Sequence, residues 1–183
     1  MNPKRASGQP HQAALRDGFD VLDACHRQTI FALGKLSALV TRLAVQGPDE
    51  GARELANEIV RHFATTARQH HEDEERHVFP KLAASGDAGT VQTVLRLQQD
   101  HNWLEEDWRE LAPHLDAVAS GQTWYDLDLL REGAAVFSAL SRDHIALEES
   151  LIYPEARARL GSGERHDMGR EMAARRRAQR MTR

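Results

Sequence analysis

The sequence has little of several features that mark common classes of protein. A single cysteine, Cys25, stands among 183 residues, which excludes an internal disulfide framework and a cysteine-based zinc site. No stretch approaches the roughly 18 consecutive apolar residues that a transmembrane helix needs. The first residues also lack the apolar segment of a secretory signal. These absences predict a cytoplasmic protein that does not cross a membrane.

The net charge of the whole chain is small, but the charges are unevenly distributed along it. The net charge of −4 argues against nucleic acid as the partner of the whole protein. Residues 164–183, however, hold seven arginines and three acidic residues, so this segment is locally basic while the remainder is acidic. We therefore divide the chain into an N-terminal tail (1–12), one domain (13–160) and a basic extension (161–183). The extension is expected either to pack on the acidic domain as a helix or to bind nucleic acid or a protein partner.

Helical periodicity dominates the domain, and the alternating pattern of strands is absent. Apolar residues recur every third or fourth position in segments 13–45, 50–84, 90–119 and 123–160, which are separated by short turns rich in glycine. Long amphipathic helices joined by short turns predict an all-α, antiparallel, up-down-up-down four-helix bundle with a C-terminal extension.

The same pattern makes detailed predictions about single residues. The apolar stripes place Leu15 and Ile30 in the core of the first helix and Leu151 in the core of the fourth. Thr123, with Asp126 three residues later, has the spacing of a capping box and predicts the start of the fourth helix.

Histidine is the residue type in excess, with ten in the chain. One histidine falls on the apolar stripe of each helix: His26, His70, His101 and His144. Their distances from the intervening turns differ by at most about three residues, or about 4.5 Å of helical rise, so all four are predicted in one layer. The ring nitrogens of four inward imidazoles are difficult to satisfy with hydrogen bonds alone, so the layer is expected to bind a metal.

Carboxylates accompany these histidines. Glu74, Glu105 and Glu148 each follow a layer histidine by four residues, which puts them on the same helix face. Residues 70–80 and 144–154 also repeat the pattern H-x-x-x-E-E-x-x-hydrophobic-aromatic-Pro. The repeat selects His70 and Glu74 over the equally spaced pair one residue later. Off the stripe, we predict that His71 and His77 face solvent, and that His62 and Cys25 are packing residues.

The doubled motif, with His26 and His101, resembles the hemerythrin-like (HHE cation-binding) domain over about residues 13–160. The resemblance implies a non-haem di-iron centre in which Glu74 and Glu148 bridge the metals, and its implied ligands are His26, His70, Glu74, His101, His144 and Glu148. Oxygen-carrying hemerythrins have a second histidine where this chain has Glu105. On the last helix they have a His-x-x-x-x-Asp pair, where this chain has His144-x-x-x-Glu148. The chain is more similar to the four-His, two-Glu type of iron-centre repair and sensing relatives.

Imidazole and carboxylate ligands suit iron, with manganese or zinc as alternatives. Two roughly six-coordinate ions offer about 12 coordination positions. Four imidazoles fill about four of them, two bridging carboxylates about four, and an oxo or hydroxo bridge about two. The remaining positions suit O2, NO or peroxide. Glu105 is a possible further ligand that would close one of them, or else it orients a bound water or His101.

The leading hypothesis is therefore a di-iron protein that senses, detoxifies or responds to O2, NO or reactive oxygen species, or handles iron. One alternative is a di-iron enzyme with peroxidase, oxidase or NO reductase activity. Another is a metal-dependent interaction module that acts through residues 164–183.

Overall fold

The computed structural model describes residues 17–181, and these form helices with no strand among them. The first bundle helix is α1 (Gly18–Gln46) and the third is α5 (Ala88–Ala119). The second, residues 50–83, is built in sequence from α2 (Glu50–Arg61), a π-helical segment (His62–Ala67), α3 (Arg68–His77) and α4 (Phe79–Ala83). The fourth, residues 127–159, joins α6 (Leu127–Leu147), a second π-helical segment (Glu148–Ile152) and α7 (Tyr153–Arg159). A terminal helix, α8 (Ser162–Met181), follows.

The helices pack as a bundle, which confirms the predicted fold class. Helix α1 contacts α2 and α6, and α5 contacts the same two helices from the other side. The three connections are short, and each contains a glycine with positive φ: Gly47, Gly86 and Gly121. Glycine adopts this left-handed conformation without a steric penalty from Cβ. Short turns between packed neighbours are typical of helical bundles.

Two apolar clusters fill the interior and leave a polar layer between them. The larger one includes Leu36, Ile59, Phe63, Leu115 and Phe137. The smaller one is built around Phe19, Leu22, Phe79, Leu97 and Ile152. In every bundle helix the predicted layer histidine lies in sequence between residues of these two clusters. The histidines are therefore enclosed by apolar packing on both sides.

Two predictions of core positions, Leu151 and Ile30, were wrong. Leu151 is 55% exposed, whereas Ile152 and Tyr153 are buried. The reason is the second π-helical segment, because its wider turn holds an additional residue and rotates the following side chains around the helix axis. Ile30 is also partly exposed, at the edge of the α1 stripe.

Helix starts also differ from the predictions. The fourth helix is capped by Asp126 and not by Thr123, since the Asp126 carboxylate accepts hydrogen bonds from the amides of Asp128 and Leu129. Helix α1 begins at Gly18 with Asp17 as its N-cap. The predicted start of the first helix, including Leu15, lies outside the described residues, as does the N-terminal tail.

Among the described helices, α1 alone has the length and mean hydropathy (1.2 over 18 residues) of a helix able to cross a membrane. Its residues Leu22, Leu33 and Leu36 are fully buried against the rest of the bundle. Core helices of globular domains meet the same criteria, so we interpret α1 as the central core helix.

The basic extension forms α8, which packs against α1 near the start of the bundle. Its buried residues Met168 and Met172 join the smaller apolar cluster. Gly18 makes room for this contact, since a Cβ there would lie 2.4 Å from Met168 Cγ. At the edge, Glu171 accepts from His77 Nε2 at 2.7 Å. The prediction that His77 faces solvent was therefore wrong, because the packed extension covers it.

A buried carboxylate fixes the far end of α8. Asp73 is only 1% exposed, and its two oxygens accept from Arg175 and Arg176. Burial raises the pKa of Asp73, while the two guanidinium groups act in the opposite direction. Of the two interpretations of the extension, the structure thus shows the helix packed on the acidic bundle.

Replacing both Arg175 and Arg176 by alanine should lower the free energy of unfolding by about 3 kcal/mol, because it leaves the Asp73 charge buried without a partner. Urea unfolding of the metal-free protein measures the change, and Arg177→Ala, which alters an exposed neighbour, is the control. Equal midpoints for the double variant and the control would contradict this role of the two arginines.

Candidate metal centre

The polar layer contains all four predicted histidines and two of the predicted glutamates. Each bundle helix contributes one imidazole, and the second and fourth helices add one carboxylate each. All six side chains are at most 5% exposed, and they are His26, His70, Glu74, His101, His144 and Glu148. The structure therefore brings together the six residues that the family resemblance implied.

The six residues form two overlapping groups. His26 and His70 form one group with Glu74 and Glu148, and His101 and His144 form the other with the same two carboxylates. Within each group, one ligand atom from each residue lies within 4.8 Å of all the others. Each group thus offers two imidazoles and two carboxylates to a cation, and both carboxylates belong to both groups.

Distances within the layer agree with this division. Glu148 Oε2 lies 3.2 Å from His26 Nε2, and its other oxygen lies 3.1 Å from His144 Nε2. Glu74 Oε2 lies 3.4 Å from His70 Nε2 and 3.5 Å from His101 Nε2. Each carboxylate thus reaches from one group to the other.

The buried atoms of the layer fit a metal better than a closed hydrogen-bond network. Nine buried side-chain nitrogen and oxygen atoms in and beside it have no hydrogen-bond partner among residues 17–181, and they include both oxygens of Glu148 and Nε2 of His70, His101 and His144. These atoms lie close together, yet they are not aligned as donors and acceptors. Unpaired buried polar atoms are costly, and ligand atoms that converge without pairing are what a cation site requires.

The second glutamate of each repeat orients a histidine on another helix. Glu75 accepts from Nδ1 of His101 at 2.9 Å, and Glu149 accepts from Nδ1 of His26 at 3.0 Å. Such a hydrogen bond fixes the orientation of the ring, and Nε2 of both rings lies on the side of the layer carboxylates. The sequence analysis did not assign these two residues, although the doubled E-E in both motifs was the available signal.

The aromatic residue of each repeat also packs on a layer histidine. Tyr153 lies parallel to His26, with centroids 5.1 Å apart, and Phe79 lies against His101 at 5.4 Å. Tyr153 additionally donates its hydroxyl to Glu74 Oε1 at 2.5 Å. Burial raises the pKa of Tyr153, and so do the two nearby carboxylates, so the phenol keeps its proton.

Electrostatics divide the imidazoles of the metal-free layer into two kinds. Burial, together with the neighbouring imidazoles, lowers the pKa of His70 to about 3, so this ring is neutral. Burial opposes a charge on His144 as well, but Glu148 and Asp100 outweigh it and raise the pKa of His144 to about 10. The proton on His144 thus compensates the buried negative charge that a bound cation would otherwise neutralise.

The remaining predicted residues lie at or outside the edge of the layer. Glu105 has a side chain that is 57% exposed, pairs with Arg109 at 3.5 Å and belongs to none of the described ligand groups. His62 is half-buried and contacts Thr29 Oγ1 at 3.0 Å, as expected of a packing residue. Cys25 is buried, and burial raises the pKa of its thiol to about 12, so it stays protonated.

His71 differs from its prediction. It is half-buried and its ring lies nearly parallel to His101, at an angle of 11° and a centroid distance of 3.9 Å. A third ligand group in the described chain consists of His71, His101 and His144. The prediction that His71 faces solvent was therefore wrong, because the side chain turns into the layer beside His70.

A cavity of about 400 Å³ opens onto this layer. Its polar wall includes His26, His70, His71, His101 and His144, and its apolar wall is formed by Phe63, Leu104, Trp108, Phe137 and Ile145. Small molecules therefore have a path to the layer, along a wall that carries both polar and apolar side chains.

A helical bundle with an internal layer of histidines and shared carboxylates defines a class of cation-binding proteins. Comparison with known families agrees: the model of the hemerythrin HHE cation binding domain matches residues 17–156. The chain belongs to this family.

Individual relatives show how far the similarity extends. An uncharacterized protein of Haemophilus influenzae is 30% identical over 169 residues, which cover 92% of this chain and 95% of the relative. Uncharacterized proteins of Mycobacterium bovis and Mycobacterium tuberculosis are 30% identical over 127 residues, or 68% of this chain. The match spans only 48% of those longer mycobacterial proteins.

Proposed function

We propose that the protein holds two iron ions in its histidine layer and uses them to sense, detoxify or respond to O2, NO or peroxide, or to handle iron. The observation that carries this proposal is the pair of ligand groups that share Glu74 and Glu148. When bound, two carboxylate-bridged iron ions supply redox electrons and coordination positions for small ligands.

The side chains around the layer have separate tasks in this proposal. Glu74 and Glu148 neutralise part of the charge of both cations, and the four layer histidines supply neutral nitrogen ligands. Glu75 and Glu149 hold two of these rings in the binding orientation. Tyr153 holds a proton against Glu74 Oε1. The apolar clusters on either side limit the access of water.

The ligand chemistry suits iron and argues against metals that prefer sulfur ligands. Imidazole and carboxylate suit iron, manganese and zinc, while copper(I) and iron–sulfur clusters prefer sulfur ligands. The single cysteine is buried with a protonated thiol, and it belongs to none of the described ligand groups. We place the protein in the cytoplasm, where thiols remain reduced, and propose no membrane or nucleic acid partner.

Anaerobic loading with Fe(II) followed by exposure to air should produce a visible charge-transfer band, and NO should produce a different one. An iron centre with an oxo or hydroxo bridge absorbs in this range, whereas a zinc-filled layer is colourless. Visible spectra before and after dithionite measure the difference. A protein that takes up iron but gives the same featureless spectrum with both gases would contradict the proposed function.

The enzyme alternative is supported by the cavity, whose volume of about 400 Å³ exceeds what a diatomic molecule occupies. Catalytic loss of hydrogen peroxide or NO by the iron-loaded protein would favour it. The interaction-module alternative depends on residues 164–183. The engagement of Arg175 and Arg176 by Asp73 argues against those arginines being available to a partner.

A further inference from the structure

The cavity beside the layer has an aromatic wall that the proposed metal centre does not use. The rings of Phe63, Trp108 and Phe137 contact one another, with centroids 4.9 to 6.0 Å apart, and all three line the cavity. Trp108 follows His101 by seven residues and Phe137 precedes His144 by seven, which is about 10.5 Å along each helix. The cavity therefore extends from the histidines to an aromatic floor and is deeper than a diatomic ligand needs.

Small side chains between the floor and the histidines leave this space open. Ala67 and Ser141 are buried and line the cavity, and Ala64 lines it at an exposed position. Protein interiors are close-packed, so the void of about 400 Å³ depends on these small residues. Its volume lies in the range of about 300–1,000 Å³ that is typical of sites for organic ligands.

The first π-helical segment (His62–Ala67) forms part of the same wall. It carries Phe63, Ala64 and Ala67, which all line the cavity. Segments of this kind occur frequently at functional sites. The second π-helical segment contains the layer carboxylate Glu148, whereas the first contributes no residue to the described ligand groups. Its position at the cavity therefore points to a ligand other than the metal.

Ser141 offers this space a free hydrogen-bond acceptor. Its hydroxyl donates to the carbonyl oxygen of Phe137 at 2.7 Å, which is its one hydrogen bond within residues 17–181. The lone pairs of Oγ can therefore accept from a ligand, whereas the other hydroxyl of the wall, on Thr29, already contacts His62. Ser141 precedes His144 by three residues, or about 4.5 Å of helical rise, so a group bound to it lies beside the layer.

The charges of the cavity disfavour a charged ligand. One arginine and three glutamates line it with side chains that are 44% to 68% exposed, and they are Arg68, Glu72, Glu75 and Glu105. This negative mouth repels anions. Deeper in the described cavity wall, histidine is the only ionisable residue type, so a buried ammonium group would find no carboxylate there.

We propose that the cavity binds a small, uncharged organic molecule that has an aromatic body and a hydroxyl or hydroperoxyl group. The body packs on Phe63, Trp108 and Phe137, and the O–H group donates to Ser141 Oγ beside the layer. As the class of a substrate, this molecule rests on the proposed function, because a substrate requires a metal centre that acts on it. Its binding needs no metal and is tested without one.

The test titrates the full-length, metal-free protein with three compounds of similar size: benzyl alcohol, toluene and benzoate. Toluene lacks the O–H donor, and benzoate carries a negative charge. Benzyl alcohol should bind with a dissociation constant of about 1 mM or below, and benzoate at least about tenfold more weakly. Calorimetry measures the affinities, and nuclear Overhauser effects between the compound and the rings of Phe63 and Trp108 locate the site.

Two variants separate the acceptor from the space. Ser141→Ala should weaken benzyl alcohol by about fivefold and leave toluene unchanged, because only the alcohol donates a hydrogen bond. Ala67→Leu should weaken both compounds by at least about tenfold, because the larger side chain occupies the cavity. Ala83→Leu adds the same side chain at an exposed position outside the cavity and should match the wild type. Circular dichroism checks the fold of each variant.

The outcomes distinguish this inference from the proposed function. Wild-type protein that binds neither benzyl alcohol nor toluene, or that binds them away from Phe63 and Trp108, would overturn the inference whatever its iron content. Equal effects of Ser141→Ala on the two compounds would overturn the assignment of a hydroxyl-bearing ligand, whether or not Ala67→Leu folds. A chain that binds benzyl alcohol in the cavity but takes up no iron supports the binding site and contradicts the proposed function alone.

Discussion

Replacing Glu148 by glutamine is expected to reduce the metal content from about two ions per chain to fewer than about half an ion. Glu148 belongs to both ligand groups, and its two oxygens lie 3.2 Å and 3.1 Å from His26 and His144. A neutral amide of the same shape supplies neither the charge nor the second oxygen that a bridge requires. The loss of one residue should therefore remove both ions and not one.

The neighbouring residue provides the control for this experiment. Glu149→Gln changes the same chemical group one position along, where the side chain is half exposed and hydrogen-bonds to Nδ1 of His26. We expect it to keep both ions with an affinity reduced by about tenfold to a hundredfold. Elemental analysis after dialysis measures both variants. Two ions retained in Glu148→Gln would contradict a shared bridging carboxylate.

Removing the metal from the wild type should lower its melting temperature by about 8–16 °C. Ligand binding to the folded state adds about 4 kcal/mol when the free metal exceeds its dissociation constant a thousandfold. For a chain of this size, each kcal/mol shifts the melting temperature by about 2–4 °C. The unpaired buried atoms of the layer are the structural source of this dependence.

Calorimetry before and after exhaustive chelation measures the shift, and Glu148→Gln is its control. Since that variant is expected to hold little metal, the chelator should leave its melting temperature unchanged. A wild type that melts at the same temperature with and without chelator would indicate that the layer is stable without cations.

The sequence predicted the fold and the main ligands because both depend on regular helix geometry. Apolar periodicity located the four bundle helices, and equal distances from the turns put His26, His70, His101 and His144 in one layer. The internal repeat selected His70 and Glu74 over the equally spaced pair one residue later, and the family resemblance implied Glu74 and Glu148 as the carboxylate ligands. The positions of the helices and of the histidine layer needed only the 1.5 Å rise and the i, i+4 spacing of a helix.

One of the errors, at Leu151, lies in a π-helical segment, where that regularity ends. A wider turn shifts the phase of everything after it, so Leu151 becomes exposed and Ile152 and Tyr153 become buried. Hydrophobic spacing carries no separate signal for such a segment. His71 was assigned to solvent because the pattern of a single helix does not describe the cavity that forms between two helices.

Side-chain contacts between different helices were also not predictable from the sequence. Asp73 looked like one more acidic residue of the motif, and only the packing of α8 reveals its burial under two arginines. Glu75 and Glu149 had a usable signal, since each occupies the same place in a repeat. Their partners, His101 and His26, lie on other helices and become identifiable only in the folded chain.

The number of metal ions per chain tests the central claim most directly. Protein purified without an affinity tag should contain about two ions per chain by elemental analysis, and most of this metal should be iron. The double variant His70→Ala plus His144→Ala, which removes one imidazole from each ligand group, should lose most of it. Fewer than about one ion per wild-type chain, or no loss in the double variant, would contradict a two-metal centre in this layer.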